Sequence, residues 1–250
     1  PTFRRAGIPG GRRAATIARR RSWPGIPGKK AAVGYDSRFM SSRFAELAAE
    51  VLSANGIKVF LSDRIIPTPT LSFAVKNKRL DLGIMITASH NPAEYNGFKL
   101  KVSSGGAAGL EVTRKIEKRI GRSKVKYSSN PDIKKEDLSR GYIKFIRAYI
   151  DFKKLKVSKF KVLVDAMYGS GDSYIAEILK GTGIRLEFIH NTINPSFGGI
   201  SPEPLEENLK ELKQRVKKEG FDIGIALDGD ADRLSVVGPG GIFIHPQKIL

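Results

Sequence analysis

The stretch Leu82-Gly83-Ile84-Met85-Ile86-Thr87-Ala88-Ser89-His90-Asn91-Pro92 decides how the chain is read. Its first five residues form a short apolar run, the pattern of a buried strand. Pro92 can neither extend a sheet nor donate a backbone N–H. A serine and a histidine therefore stand side by side in a loop at the carboxyl end of a strand, where open α/β sheets place their ligands. A second stretch is built the same way: Ile223-Gly224-Ile225-Ala226 reads as a buried strand, and Asp228-Gly229-Asp230-Ala231-Asp232-Arg233 follows it. One loop offers a hydroxyl and the other a cluster of carboxylates. The expectation is that they meet.

Working outward, β and α patterns alternate. Ala31–Tyr35, Lys58–Leu61 and Gly97–Val102 read as strands. Phe44, Leu47, Ala48 and Val51 recur at helical spacing up to Asn55-Gly56, and further helices are expected from Pro67 and over Leu110–Ile120. The polar, Lys-rich residues 122–137 read as a linker region. Beyond it, Tyr142, Phe145, Ile146, Tyr149 and Ile150 mark a helix face. Lys161–Asp165, Leu186–Ile189 and Leu234–Val237 read as strands, and Leu205, Leu209, Leu212 and Val216 as an amphipathic helix. The alternation runs twice, so the expected fold is α/β, two successive three-layer αβα domains with mostly parallel mixed sheets. Residues 1–30 are expected to be a basic arm without clean apolar period. Residues 31–138 would form the domain with the serine loop, and residues 139–250 the domain with the acidic loop.

The chain has 250 residues and a formal net charge of +19, of which residues 1–35 supply +9 through seven Arg and two Lys with no acid. Such a balance favours anionic partners, either phosphorylated metabolites or nucleic acid, and a merely solvated basic surface accounts for it equally well. No basic stripe interleaved with aromatics, as single-strand binders carry, is visible. The chain holds no Cys, which removes disulfides, thiolate nucleophiles and Cys-ligated zinc. No apolar run reaches the length of a membrane span, and a cytoplasmic setting is the natural reading.

Three aspartates at alternate positions of an extended backbone point the same way, and three converging anions are costly unless a cation sits among them. Oxygen donors at that density suit Mg²⁺, Mn²⁺ or Ca²⁺. An EF-hand fails on spacing. With Asp228 as its first position, Arg233 stands where the invariant glycine belongs and Pro239 where the closing glutamate belongs. A solvated acidic turn is the plainer alternative. Ser89 is not in a G-x-S-x-G elbow, and an adjacent His90 serves poorly as a relay base, so a serine that carries a phosphoryl group fits better than a hydrolase nucleophile. The fork of Arg233 suits a phosphate oxygen, and Lys99 on the next strand is a candidate cation or proton acceptor. Gly169-Ser170-Gly171 is either a phosphate cradle or a tight turn.

Taken together, Thr87-Ala88-Ser89-His90-Asn91-Pro92, Asn96-Gly97-Phe98-Lys99 and Asp228-Gly229-Asp230-Ala231-Asp232-Arg233 resemble the α-D-phosphohexomutases, the family of phosphoglucomutase and phosphomannomutase. Gly34-Tyr35-Asp36-Ser37-Arg38, Pro67-Thr68-Pro69 and Ser201-Pro202-Glu203-Pro204 add to the match, in the family's order. The resemblance implies that Ser89 is a phosphoserine passing its phosphoryl to a hexose phosphate through a hexose bisphosphate. It implies that Asp228, Asp230 and Asp232 hold Mg²⁺ with the Ser89 oxygen as a further ligand. Lys99 would be the general base, helped by His90. Arg233 would steady transition-state charge, and Arg38 and Asn96 would meet the substrate. Two departures stand beside it. Pro9 occupies the place of a family arginine, and only the first two of the family's four domains are recognised. A catalytically inactive sugar-phosphate binder and a basic nucleic-acid-binding protein are the alternatives.

Overall fold

The computed structural model describes residues 2–4 and 30–249. In chain order its first elements are β1 (Thr2–Arg4), β2 (Lys30–Tyr35), α1 (Ser41–Ala54), β3 (Lys58–Ser62), α2 (Thr68–Asn77), β4 (Leu82–Ile86), β5 (Tyr95–Val102), α3 (Leu110–Glu117) and β6 (Ile133–Glu136). There follow α4 (Arg140–Tyr149), α5 (Phe152–Val157), β7 (Lys161–Asp165), α6 (Asp172–Leu179), β8 (Arg185–Ile189), α7 (Lys210–Glu219), β9 (Ile223–Leu227), β10 (Leu234–Gly238) and β11 (Ile242–Ile244). Two units result. One comprises Pro1–Ala88 with Glu94–Gly141, and the other Ser89–Ala93 with Tyr142–Leu250.

The first unit carries a sheet in the order β1-β5-β4-β2-β3-β6. Its centre is parallel, and β5 and β1 add antiparallel edges. Strand β4 is buried along its whole length, as a run without polar alternation requires. Leu82, Ile84 and Ile86 join Ala31, Val33, Val59 and Leu61 in a core with Ala45, Ala48, Ala49 and Leu52 of α1. The alternate residues face α2. There Gly83 leaves room for the helix: a Cβ on it would lie 2.6 Å from Val75 Cγ2. Small residues let a helix approach a strand this closely.

Two strands differ from the sequence expectation. Ile133–Glu136 falls in the stretch read as linker, yet it pairs in parallel with β3. Lys134 of the strand and Lys78 at the end of α2 flank Glu136 at 2.8 and 2.6 Å, and Lys135 reaches Glu46 of α1 at 3.2 Å. A lysine-bearing edge strand blunts further pairing and hides the apolar signal. Thr2–Arg4, inside the stretch read as an arm, registers opposite Gly97, Asn96 and Tyr95 of β5. Pro9 and the rest of residues 5–29 lie outside the described residues.

The second unit carries a sheet in the order β11-β10-β9-β7-β8, parallel at β9-β7-β8 and antiparallel beyond. Leu212 and Val216 of α7, with Leu209 and Phe221, close a core over Leu163, Met167, Ala226 and Val237. The helix stops at Gly220, which takes the left-handed conformation (φ 64°) that glycine tolerates. Leu205, expected on this helix face, is exposed, because a short 3₁₀ turn at Glu206–Asn208 precedes the helix proper. Arg147 of α4 caps the carboxyl end of α6, donating to the carbonyls of Glu177, Ile178 and Lys180 at 3.0, 2.7 and 2.9 Å. On the same helix Phe145 and Tyr149 stack on each other at the surface, their centroids 6.2 Å apart.

Each central strand ends in a buried aspartate that accepts a backbone N–H two residues on. Asp36 after β2 accepts from Arg38 at 3.0 Å, and Asp165 of β7 accepts from Met167 at 2.9 Å. Asp36 also pairs with the Arg38 guanidinium at 3.3 Å, whereas Asp165 pairs with a titratable partner, His190 Nδ1, at 2.9 Å. That hydrogen bond raises the His190 pKa above its ordinary value, and Glu211, 3.3 Å from Nε2, adds to the effect against the opposing cost of burial. A folded pKa above the unfolded one stabilises below the unfolded value and ceases to do so as pH rises through the folded value. The unfolding free energy of the wild type is therefore expected to fall as pH rises from about 6 through the neutral range. In His190→Asn that fall is expected to be smaller, as denaturant titrations at stepped pH would measure.

Candidate functional site

Among the described residues one acidic cluster has the geometry of a cation site, and it sits on the turn from β9 to β10. Ligand oxygens of Asp228, Asp230 and Asp232 all lie within 4.8 Å of one another, with Asp228 and Asp230 buried and Asp232 exposed. The backbone makes this crowding possible. Asp228 Oδ1 accepts the N–H groups of Asp232 and Arg233 at 2.9 and 3.0 Å, and Ala231 donates back to the Asp228 carbonyl at 2.9 Å. Ala231 itself has φ of 52°, a conformation that costs an alanine about 1 kcal/mol or more and recurs at functional turns.

Ser89 also adopts a left-handed backbone, with φ of 54°. Its Oγ donates to Asp228 Oδ2 at 3.0 Å across 139 residues of sequence. Asp228 therefore spends both carboxylate oxygens, one on the acidic turn and one on the serine. Arg233 extends the cluster: its Nη2 donates to His90 Nδ1 at 2.7 Å, and its Nη1 to Glu203 Oε1 at 3.1 Å. The turn Gly169-Ser170-Gly171 packs under the acidic loop, with the Ser170 N–H donating to the Gly229 carbonyl at 3.1 Å. A Cβ on Gly169 would lie 2.8 Å from that carbonyl oxygen. Beside Asp232 and Arg233 opens a largely apolar hollow of about 760 Å³, lined among others by Leu205, Leu234, Phe243 and Ile249.

The second unit thus gathers Ser89, His90, Asp228, Asp230, Asp232 and Arg233. The other expected site residues belong to the first unit. Lys99 lies on β5 opposite Met85. Arg38 is 3% and Asn96 7% exposed. Arg38 Nη1 donates to the Tyr95 carbonyl at 3.0 Å, and Asn96 Nδ2 to Ser41 Oγ at 2.9 Å and the Phe39 carbonyl at 3.2 Å. These bonds lash the loop after β2 to the start of β5. Glu203 was not singled out for chemistry in the sequence. Its one signal is a carboxylate between two prolines, in a segment preceding the helix that covers the acidic strand.

The electrostatics suit a hard divalent cation. Burial, then the charges of Asp230 and Asp232, push the Asp228 carboxyl up to about 7. An all-oxygen set under such strain fits Mg²⁺, Mn²⁺ or Ca²⁺ and would hold the ion through Asp228, Asp230 and Asp232. Two outcomes follow. Because the folded pKa lies above the unfolded one, the cation-free chain loses stability as pH rises from about 4 to about 7. A bound cation offsets that loss. MgCl₂ is therefore expected to raise the melting temperature more at pH 8 than at pH 5, where protons compete, and Asp230→Asn is expected to flatten the difference in a thermal-shift series. The second outcome concerns Gly229, where a Cβ would lie 2.6 Å from the Ser89 carbonyl oxygen. Gly229→Ala must part the serine loop from the acidic loop, at a cost of about 1–3 kcal/mol. Denaturant unfolding would measure the cost, and isothermal titration the accompanying loss of Mg²⁺ affinity.

Two αβα units, one of which holds a serine hydroxyl bonded to a carboxylate of an oxygen-only cation site, define the class of protein. A family model described as phosphoglucomutase/phosphomannomutase, alpha/beta/alpha domain I, matches residues 13–126, and the corresponding domain II model matches residues 140–241. The chain is 36% identical over 224 residues to the probable phosphoglucosamine mutase of Methanosphaera stadtmanae, covering 89% of this chain and 49% of that protein. It is 32% identical over 219 residues to the phosphoglucomutase/phosphomannomutase of Thermococcus kodakarensis, covering 86% and 48%. The crystal structure of a phosphoglucomutase/phosphomannomutase family protein from Burkholderia thailandensis superposes with a TM-score of 0.80 at 28% identity, covering 95% of this chain and 51% of that one. The chain belongs to the α-D-phosphohexomutase family and corresponds to its first two domains. It spans about half the length of the curated relatives it matches. No helix among the described residues is long and apolar enough to cross a membrane.

Proposed function

We propose that this chain carries the phosphoryl-transfer centre of a phosphohexomutase, with Ser89 as the phosphorylated residue and Asp228, Asp230 and Asp232 as the Mg²⁺ ligands. The observation that supports the reading most is the 3.0 Å bond from Ser89 Oγ to Asp228 within the acidic cluster. It sets the Ser89 hydroxyl against the groups that would hold a cation. Mg²⁺ when bound would neutralise the charge of a phosphoryl group on the serine.

In the forward step the bond from Ser89 Oγ to phosphorus breaks and a bond from a hexose-phosphate hydroxyl to phosphorus forms. The hydroxyl proton leaves the sugar as its oxygen bonds and ends on Ser89 Oγ, giving serine and a hexose bisphosphate. Lys99, helped by His90, would accept that proton and pass it on. The reverse step, with the bisphosphate presenting its other phosphoryl group, restores the phosphoserine. Arg233 would meet the phosphoryl oxygens with its fork. Such reactions depend mostly on positioning and charge neutralisation, and a chain of net charge +19 attracts dianionic sugars. Arg38 and Asn96 would act on the substrate through the loop they brace. A cytoplasmic setting belongs to the same proposal.

Intact-mass measurement after incubation with a hexose 1,6-bisphosphate and Mg²⁺ is expected to show a single added phosphate, which Ser89→Ala abolishes. Turnover of hexose phosphate by the 250-residue chain alone is expected to be low. Absence of the phosphate from wild-type protein would refute the mutase reading.

A further inference from the structure

Glu203 has a setting that the reaction scheme above leaves unexplained. It lies in Ser201-Pro202-Glu203-Pro204, a segment fastened to the acidic turn on one side of the glutamate and to β10 on the other. The Gly229 N–H donates to the Pro202 carbonyl at 3.3 Å, and the Ser235 hydroxyl donates to the Pro204 carbonyl at 2.6 Å. The carbonyl of Glu203 itself accepts from Asn208 Nδ2 at 2.9 Å and from the Leu205 N–H at 2.8 Å. Prolines on either side further narrow the backbone. The glutamate is thus presented from a fixed base.

Its carboxylate closes a ring of three side chains. Oε1 lies 3.1 Å from Arg233 Nη1 and 3.8 Å from His90 Nε2, and Arg233 Nη2 lies 2.7 Å from His90 Nδ1. Since a guanidinium only donates, His90 Nδ1 must accept, which leaves the ring proton on Nε2, the nitrogen facing Glu203. The Arg233 side chain is 46% exposed. Without an anchor, a long side chain with that much freedom would spread over several rotamers. Glu203 is not one of the three clustered aspartates, so its charge is directed to the arginine and the histidine.

We infer that Glu203 is a positioning residue: it orients Arg233 beside Ser89 and, through the bond of Arg233 to Nδ1, holds the tautomer of His90, a role that rests on the phosphoryl-transfer reading of that serine. A misplaced arginine slows phosphoryl transfer even when the serine and the aspartates are intact.

The test is the rate at which glucose 1,6-bisphosphate and Mg²⁺ load phosphate onto Ser89 of the 250-residue chain, followed by intact mass under single-turnover conditions. Glu203→Ala is expected to slow loading about tenfold or more. Glu203→Gln keeps an accepting oxygen and is expected to lose less. The double variant Glu203→Ala, Arg233→Ala is expected to be little slower than Arg233→Ala alone, because the glutamate works through the arginine. Glu206→Ala, in the same segment, is expected to keep the wild-type rate. If wild-type chain loads phosphate but Glu203→Ala does so at the same rate, or if the Glu203 and Arg233 losses multiply, the positioning role is overturned and the phosphoserine reading stands. If wild-type chain loads none, the phosphoserine reading falls and this role falls with it.

Discussion

Crowding of like charge is the constraint from which the second unit is built. Three carboxylates share a few ångströms, two of them out of water. Buried anions of the same sign repel strongly where the surroundings screen poorly. The chain answers with every neutralising device within reach. Two backbone N–H groups and a serine hydroxyl point at Asp228, and an arginine stands next in sequence with its own carboxylate partner. None of these removes the cost fully, as the raised carboxyl of Asp228 records. The residual strain is the thermodynamic reason a cation would bind there.

Holding such a cluster requires a frame that does not yield. The central strands β4 and β7 are buried along most or all of their length, and the carboxyl ends of the parallel strands stop abruptly in turns of unusual backbone. Met167, Tyr168 and His190 have positive φ, as do Ser89 and Ala231. Non-glycine residues hold that conformation only where surrounding contacts dictate it. Here the contacts are identifiable. Tyr168 packs against His190 with the rings tilted by 38° and centroids 4.8 Å apart, and Gly198 comes so near the Tyr168 ring that a Cβ would lie 2.6 Å from it. The turns are thus wedged by packing, and the side chains they carry are aimed by the wedge.

How much of this could be read beforehand depends on the range of the forces involved. Strands such as Leu82–Ile86 and Lys161–Asp165 were legible because burial on both faces leaves an unbroken apolar run. The acidic turn was legible because its ligands are neighbours in sequence. Ile133–Glu136 was not, since an edge strand rich in lysine looks like any solvated segment. Thr2–Arg4 is too short to announce a strand. Leu205 misled because an apolar residue at helical spacing can still precede the first helical turn. Glu203 escaped for another reason: Arg233 and His90 lie 30 and more than 100 residues away, and no local pattern encodes a partnership of that span.

The segment Ser89–Ala93 joins the second unit although the residues on either side of it, up to Ala88 and from Glu94, belong to the first. The polypeptide therefore passes from one unit to the other three times. A genetic cut at the obvious place, after Gly141, would yield an amino-terminal product that keeps the hydroxyl and abandons the acid it binds. The complementary product would keep the acids and lack the hydroxyl. Gene fusions, truncations or domain exchanges that treat the halves as separable modules would sever the chemistry, however well each half folded.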